Sequence, residues 1–124
     1  MGKDKEATRR RAPRFPIRLD GALVGRSERD VTIVDLSLSG CLIRCETLLD
    51  HGAILDLRLA IAPDPIVVKV RVADAYLDGA APTTVAQRHL AGLEFMGLPA
   101  QEQARLMRFL DDERRRRSAD AASQ

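Results

Sequence analysis

The sequence is poor in aromatic residues and in the residue types from which most catalytic and metal sites are built. It contains no Trp, one Tyr and three Phe, so aliphatic side chains must fill most of any core. It has two His and two Cys, and no Ser-His-Asp, Cys-His or paired-carboxylate spacing is present. These absences argue against an enzyme, and we also expect no cofactor.

The two cysteines are predicted to be core residues rather than disulfide partners or metal ligands. Cys41 and Cys45 lie on one predicted strand, where a rise of about 3.3 Å per residue separates their Cα atoms by roughly 13 Å, too far for a disulfide. A metal site that combined them with His51 or His89 would lack CxxC or HxxxH spacing. We therefore expect reduced thiols in the core and imidazoles on the surface.

Long apolar runs are also missing. No stretch approaches the roughly 18 apolar residues of a membrane-spanning helix, and the N-terminus does not resemble a signal peptide. The sequence therefore predicts a cytoplasmic protein that does not insert into a membrane, in a compartment where thiols stay reduced.

Positive charge is concentrated at the N-terminus. Residues 1–18 contain seven Lys or Arg and two Asp or Glu, a net charge of +5, although the whole chain carries only +2. Residues 1–14 show no apolar periodicity, and we interpret them as a flexible basic arm that can become ordered when it binds a ligand. The small total charge argues against a surface coated for nucleic-acid binding.

Six segments after the arm have the β-branched, alternating pattern of strands. They are FPIRLDGALVG from Phe15, RDVTIVDLS from Arg29, GCLIRCE from Gly40, AILDLRLAI from Ala53, IVVKVRVADAYLD from Ile66 and RHLAGLEFMG from Arg88. Such closely spaced strands without helices between them favour antiparallel pairing. The segments predict a mainly β fold, a small six-stranded antiparallel barrel that is closed or nearly closed.

The chain changes to helical periodicity after the sixth strand, with Pro99 at the predicted helix start. The apolar residues at helical spacing are Ala104, Leu106, Met107 and Leu110. They predict an amphipathic helix that packs across the mouth of the barrel, with Phe109 as the exposed apolar residue.

The predicted helix ends in four arginines, Arg114 to Arg117. Acidic residues come directly before them, and we expect ion pairs at spacing i,i+4 from Asp111 to Arg115 and from Asp112 to Arg116. We place the arginines in the last turn, where cations interact favourably with the helix dipole. The predicted domain limits are the arm at 1–14, the barrel with its helix at 15–117 and a disordered tail at 118–124.

Four arginines stand close together in RRRAPRFP, from Arg9 to Pro16. A guanidinium group offers a planar fork of donors that matches a phosphate or the O6 and N7 acceptors of guanine, whereas a lysine offers only a point charge. Four such groups suggest a ligand with several negative charges. The alternative is a solvated basic tail without a ligand. Pro13, inside the cluster, favours extended backbone at Ala12.

A second motif, DLSLSG from Asp35 to Gly40, lies between two predicted strands. One interpretation is a structural turn, in which the Asp and Ser side chains cap backbone amides and Gly40 takes a positive φ. In the other, the Asp35 carboxylate accepts hydrogen bonds from N1–H and the exocyclic amine of guanine, Ser37 adds a hydroxyl, and Gly40 lets the backbone approach the ligand. Adenine fits this arrangement less well, because it has no O6 carbonyl.

In this order and at this spacing, RRAPR (Arg10 to Arg14) and DLSLSG resemble the RxxxR and [D/N]xSxxG motifs of the PilZ domain family. AGLEFMG, from Ala91 to Gly97, resembles the last strand of that family. PilZ domains are bacterial receptors for the second messenger cyclic di-GMP. The resemblance implies a six-stranded antiparallel barrel with a C-terminal helix.

The resemblance also implies which residues bind the ligand. They are Arg9, Arg10, Arg14, Asp35, Ser37 and Gly40. The two arginines of RxxxR would grip guanine edges and phosphates from the arm, and the last three residues fill the second motif. An arginine directly before RxxxR, here Arg9, goes with binding of a stacked cyclic di-GMP dimer in this family.

We therefore expect a nucleotide-binding protein of second-messenger signalling, a stand-alone cyclic di-GMP receptor that changes its surface on binding and regulates a partner protein of unknown identity. Two alternatives stay open. A small basic barrel could bind nucleic acid through its arm, although no aromatic stacking platform is evident and we expect no nucleic-acid partner. The same fold could also act as a protein–protein adaptor without a ligand.

Overall fold

The computed structural model describes residues 14–122, which form a β-barrel and one long helix. Arg9, Arg10 and the other predicted arm residues up to 13 lie outside the described residues. The elements are β1 (Phe15–Val24), β2 (Glu28–Leu36), β3 (Gly40–Cys45), β4 (Ile54–Leu59), β5 (Ile66–Leu77), β6 (His89–Met96) and α1 (Ala100–Ala122). Each of the six predicted strands is present.

The strands form a closed antiparallel barrel in the order β1-β2-β3-β6-β5-β4. Closure comes from the pairing of β1 with β4, in which Gly21 lies opposite Leu59 and Val24 opposite Asp56. Because the sheet closes on itself, its backbone groups pair around the whole circumference and no open edge is left to template aggregation. The predicted fold class, a six-stranded antiparallel barrel with a C-terminal helix, is confirmed.

Branched aliphatic side chains fill the barrel, as the scarcity of aromatic residues predicts. In β5, the side chains of Ile66, Val68, Val70 and Val72 are buried, whereas the residues between them are exposed. This alternation places every second residue in the interior, where full burial of one such side chain contributes about 1.5–3 kcal/mol. The two cysteines are buried free thiols within the same core.

α1 crosses the end of the barrel at which β1, β3 and β5 begin, which is called the α1 end below. Leu106 and Leu110 are buried in the barrel core, and Phe109 is partly buried against it, whereas Met107 is 45% exposed. The prediction that Phe109 is the exposed residue was wrong. The buried stripe follows the spacing i, i+3, i+4, i+7 from Leu106 through Glu113, and Met107 falls outside it.

The helix continues to Ala122 instead of ending at Arg117, so residues 118–122 are helical rather than a tail. The residues after the arginine run contain no Gly or Pro and several Ala, the best helix former, so nothing in them terminates the helix. The four arginines therefore lie inside the helix and not in its last turn. Within the described residues, no helix is long and apolar enough to span a membrane.

The arginine run forms ion pairs along the helix at spacing i,i+3 rather than at the predicted i,i+4. Asp111 pairs with Arg114 at 3.2 Å and Asp112 pairs with Arg115 at 2.9 Å. Glu113, which is partly buried, pairs with Arg116 in the same way. Both spacings bring residues together on a helix surface, and three acids followed directly by arginines allow three parallel i,i+3 pairs.

Candidate functional site

Arg14 and Asp35, which are far apart in the sequence, meet at the α1 end of the barrel. Asp35 lies near the end of β2, opposite Pro16 of β1, and Arg14 directly precedes β1. Arg14 Nη1 lies 3.5 Å from Asp35 Oδ2, and the two side chains are 62% and 18% exposed. This distance is longer than that of a charge-assisted hydrogen bond, so the contact is a loose ion pair at the surface.

The Asp35 carboxylate is held in place from β3. Its Oδ1 accepts a hydrogen bond of 3.1 Å from the Leu42 N–H. The register between β2 and β3 shifts between Ile33 and Asp35, and the side-chain carboxylate takes the Leu42 amide at this irregularity. One carboxylate oxygen is therefore fixed by the barrel, while the other faces Arg14.

Ser37 lies inside the turn between β2 and β3 and is only 2% exposed. Its hydroxyl donates to the Gly40 carbonyl at 3.1 Å and accepts from the backbone N–H groups of Ser39, at 3.1 Å, and Gly40, at 3.2 Å. The Ser37 backbone N–H donates to the same Gly40 carbonyl at 2.9 Å. The hydroxyl therefore makes its hydrogen bonds within the turn.

Gly40 begins β3 and is enclosed by the neighbouring strand. A Cβ atom built on it would come far inside 3.0 Å of the Leu93 carbonyl oxygen of β6, a separation that real Cβ atoms essentially never show. Gly40 does not have the positive φ that the structural interpretation of DLSLSG assigned to it; among the described residues only Gly52 and Gly97 do. The turn needs glycine here because two backbones approach closely, not because of φ.

Cys41 follows Gly40 and points into the core beneath the site. Burial raises the pKa of its thiol strongly, the nearby Asp35 carboxylate raises the pKa further, and Arg14 lowers it slightly. Burial also raises the pKa of Cys45, whose thiol lies 3.1 Å from the Thr47 carbonyl oxygen. Neutral, buried thiols are poor nucleophiles and poor metal ligands.

The histidines are remote from Asp35. His51 is exposed in the turn before β4, and His89 begins β6, opposite Cys45 and at the other end of the barrel from the α1 end. In the described part of the chain, no three His, Cys, Asp or Glu side chains come together in a way that could hold a metal ion.

The arginines of α1 contribute to this end of the barrel in a way that the sequence prediction missed. The Cζ atom of Arg117 lies 4.2 Å from the centroid of the Phe15 ring, and that of Arg114 lies 5.8 Å from it. Phe15 directly follows Arg14. A signal was available in the sequence, because Arg114 and Arg117 continue the buried stripe of Leu106 and Leu110 at spacings of four and seven residues.

The sequence matches the model of the PilZ domain family over residues 8–112, a match that covers most of the chain. The protein therefore belongs to the PilZ domain family, as its motifs indicated. No curated protein matches it.

Solved structures share the fold at low sequence identity. The PilZ domain of YcgR from Escherichia coli, solved with cyclic di-GMP, aligns with a TM-score of 0.76 and 14% identity over 94% of this chain and 99% of that one. MotI of Bacillus subtilis, an inhibitor of motility, aligns with a TM-score of 0.72 and 16% identity over 85% of this chain and 51% of MotI. MrkH of K. pneumonia, in complex with cyclic di-GMP, aligns with a TM-score of 0.70 and 22% identity over 90% of this chain and 55% of MrkH. This chain thus spans about half the length of MotI and MrkH.

Proposed function

We propose that this protein is a receptor for cyclic di-GMP, and that it binds the ligand between its N-terminal arginines and the turn after β2. The observation that carries the proposal is the meeting of Arg14 with Asp35, one residue from each motif, at 3.5 Å. Membership of the PilZ family and the structural likeness to PilZ domains that were solved with cyclic di-GMP support it.

The chemistry of the pair suits guanine. Asp35 Oδ2 can accept hydrogen bonds from guanine N1–H and the exocyclic amine once Arg14 moves aside, while Leu42 continues to hold Oδ1. Arg14 can then direct its fork to O6 and N7 or to a phosphate. Adenine has neither an O6 acceptor nor an N1–H donor, so the same groups would discriminate against it.

Ser37 and Gly40 support the site by shaping the turn. The Ser37 hydroxyl is buried and bonded to Gly40 and Ser39, and Gly40 lets β3 approach the Leu93 carbonyl. Both features keep the Leu42 N–H where it fixes Asp35. We propose that their contribution to binding runs through this geometry rather than through contact of the Ser37 hydroxyl with the base.

The remaining ligand contacts are assigned to the arm, whose residues up to 13 lie outside the described residues. Arg10, the first arginine of RxxxR, would bind a guanine edge or a phosphate, and Arg9 would bind the second molecule of a stacked dimer. Ordering about six arm residues costs on the order of 1 kcal/mol each, so several charge-assisted hydrogen bonds are needed to offset this cost. The ordered arm is the change of surface that a protein partner would read.

Isothermal titration calorimetry with cyclic di-GMP tests the proposal, because it reports affinity and stoichiometry together. We expect Arg14→Ala and Arg10→Ala each to weaken binding at least tenfold without changing the fold, since each removes a charge-assisted contact. Arg18→Ala is the matched control: Arg18 is an exposed arginine of β1 outside the motifs, and its loss should change the affinity less than twofold. Equal affinities of the wild type and Arg14→Ala would contradict the assignment.

Selectivity provides a second test of the site. Asp35→Ala should lower the preference for cyclic di-GMP over cyclic di-AMP, because Asp35 is the acceptor for the guanine donors. A mutant that keeps the full preference would rule out this role. A gel shift with random RNA and DNA at physiological salt separates the proposal from a nucleic-acid-binding barrel, which would shift both probes in the absence of cyclic di-GMP.

A further inference from the structure

Phe15 lies beside both residues of the candidate site. It is the first residue of β1, it follows Arg14, and its backbone lies opposite Leu36, the neighbour of Asp35. A displacement of Phe15 would move Arg14 relative to Asp35.

The residues at the start of β1 are held from both sides of the sheet. Successive side chains of a strand point to opposite faces, and β1 follows this rule, with Phe15 and Ile17 partly buried and Pro16 and Arg18 exposed. On the outer side Arg14 contacts Asp35, and on the inner side the Phe15 ring contacts the arginines of α1. Only the first contact involves the residues of the known motifs.

The contact with α1 is a cation–π contact. The Arg117 guanidinium lies 4.2 Å from the Phe15 centroid, and Arg114 lies farther away at 5.8 Å. Both distances are within the roughly 6 Å over which a cation is attracted to an aromatic face. Arg114 also pairs with an acid of the preceding turn, as the neighbouring Arg115 and Arg116 do, and these two do not contact the ring in the described residues.

We propose that Phe15, in cation–π contact with Arg117 and Arg114, is a positioning residue of the ligand site and couples the C-terminal part of α1 to ligand binding. This inference rests on the proposed function. Phe15 fixes the position of the adjacent Arg14 relative to Asp35, and the helix fixes Phe15. If a bound ligand stabilises one position of Arg14, it stabilises one packing of Phe15 against α1, and by thermodynamic linkage the helix contact strengthens ligand binding to the same extent.

The same two arginines could instead act by long-range attraction of an anionic ligand, and the two mechanisms make different predictions. Attraction depends on charge alone and is nearly the same for any cation at this end of the helix. Positioning depends on the planar guanidinium over the ring, which Lys replaces poorly, and on the ring itself, which carries no charge. Substitutions that separate charge from stacking therefore decide between them.

Titration calorimetry with cyclic di-GMP on the full-length protein and its variants provides the test. We expect Arg117→Gln to weaken binding about threefold to fivefold, the effect of one exposed cation–π contact, and Phe15→Leu to weaken it at least as much, because it also removes the contact with Arg114. Arg116→Gln, which removes the same charge from the adjacent position, should leave the affinity within twofold. Arg117→Lys should recover only part of the loss, and Arg117→Gln should add nothing further to Phe15→Leu, because the ring that Arg117 contacts is already gone.

Full affinity in Arg117→Lys together with an equal loss in Arg116→Gln and Arg117→Gln would overturn the inference in favour of simple attraction. Wild-type affinity in Arg117→Gln would overturn it as well, and this surface variant serves even if Phe15→Leu fails to fold. If the wild type itself binds no cyclic di-GMP, the proposed function fails; if it binds and the variants match Arg116→Gln, only the positioning role fails.

Amide hydrogen exchange measures the coupling directly. Addition of cyclic di-GMP should slow exchange of residues 112–118 in the wild type, although Arg14 precedes β1 and Asp35 lies on β2. In Phe15→Leu the ligand should no longer slow it, and even without ligand these amides should exchange faster than in the wild type. Identical exchange of this segment in the wild type and in Phe15→Leu, each with and without cyclic di-GMP, would contradict a coupling between helix and site.

Discussion

Substitution of Gly40 by alanine is expected to damage the fold and the site together. The added Cβ would press against the Leu93 carbonyl oxygen of the adjacent strand. Carbon and carbonyl oxygen atoms in contact normally stay about 3.3 Å apart, so β3 and β6 would have to separate locally by roughly 1 Å. This separation would lengthen and weaken the hydrogen bond of 2.9 Å from the Phe95 N–H to the Ser39 carbonyl.

The size of the effect follows from two contributions. Forcing extra atoms into a closely packed position costs typically 1–3 kcal/mol, and the weakening of one backbone hydrogen bond adds about 1 kcal/mol. Replacement of a glycine by alanine also stabilises the folded state by about 0.4–1 kcal/mol, because it lowers the conformational entropy of the unfolded chain. Gly92→Ala is the matched control for this last term, because a Cβ on Gly92 of β6 would meet only the Asp74 Cβ at an ordinary 3.6 Å.

Urea unfolding followed by far-ultraviolet circular dichroism measures the difference, and it suits a protein without Trp. Gly40→Ala should be about 2–4 kcal/mol less stable than Gly92→Ala. Its affinity for cyclic di-GMP should fall as well, because the turn that presents Asp35 is displaced, whereas Gly92→Ala should bind normally. A Gly40→Ala protein within 0.5 kcal/mol of Gly92→Ala, the ordinary spread for a tolerated substitution, would refute the steric argument.

Three further predictions concern the core and the surface. The pKa of the buried Cys41 thiol is raised, so iodoacetamide should label it in the native protein only as fast as the protein unfolds; rapid labelling would show that the thiol is accessible. The Arg44 side chain lowers the pKa of Asp78 below its ordinary value of 3.8, so the pair stabilises the fold above that pH and the stabilisation is lost as the pH falls through the lower folded value. The difference in urea midpoint between the wild type and Arg44→Gln should therefore shrink on acidification, and a difference independent of pH would contradict the role of Asp78. Leu106→Ala should cost about 2–5 kcal/mol and Met107→Ala less than 1, because only Leu106 is buried; comparable losses would mean that the buried face of α1 is assigned wrongly.

The strands were predictable because two strong local signals coincide in each of them. β5, for example, combines β-branched residues with strict alternation, and the turns that flank it carry proline or glycine. The meeting of Arg14 with Asp35 was predictable for another reason, since the motif order implies it through the family. Spacing alone does not, because the partner strand and its register decide which residues lie opposite each other.

Three of the properties that escaped prediction depend on tertiary neighbours. The need for glycine at position 40 comes from the Leu93 carbonyl of a strand that is distant in sequence, so a turn pattern alone suggests the wrong cause. The contact of Arg117 with Phe15 joins α1 to the start of β1; the helical stripe indicates that Arg117 faces the barrel, but no local pattern reveals which residue it meets there. The exposure of Met107 depends on whether the helix face of Leu106 or that of Met107 packs against the barrel.

The barrel half of the proposed site is preassembled. Asp35 is already fixed by the Leu42 N–H, and the turn is already closed by Ser37, so neither has to be ordered by a ligand. The Arg14–Asp35 contact that a ligand must displace is an exposed ion pair, worth about 0–1 kcal/mol. Hydrogen bonds to charged groups contribute about 1.5–3 kcal/mol each, so two of them outweigh that pair readily. If the arginines before Arg14 bind the ligand as proposed, the entropy lost on ordering them is the large opposing term, and the contact of Phe15 with α1, which fixes Arg14 beside Asp35, reduces part of that cost.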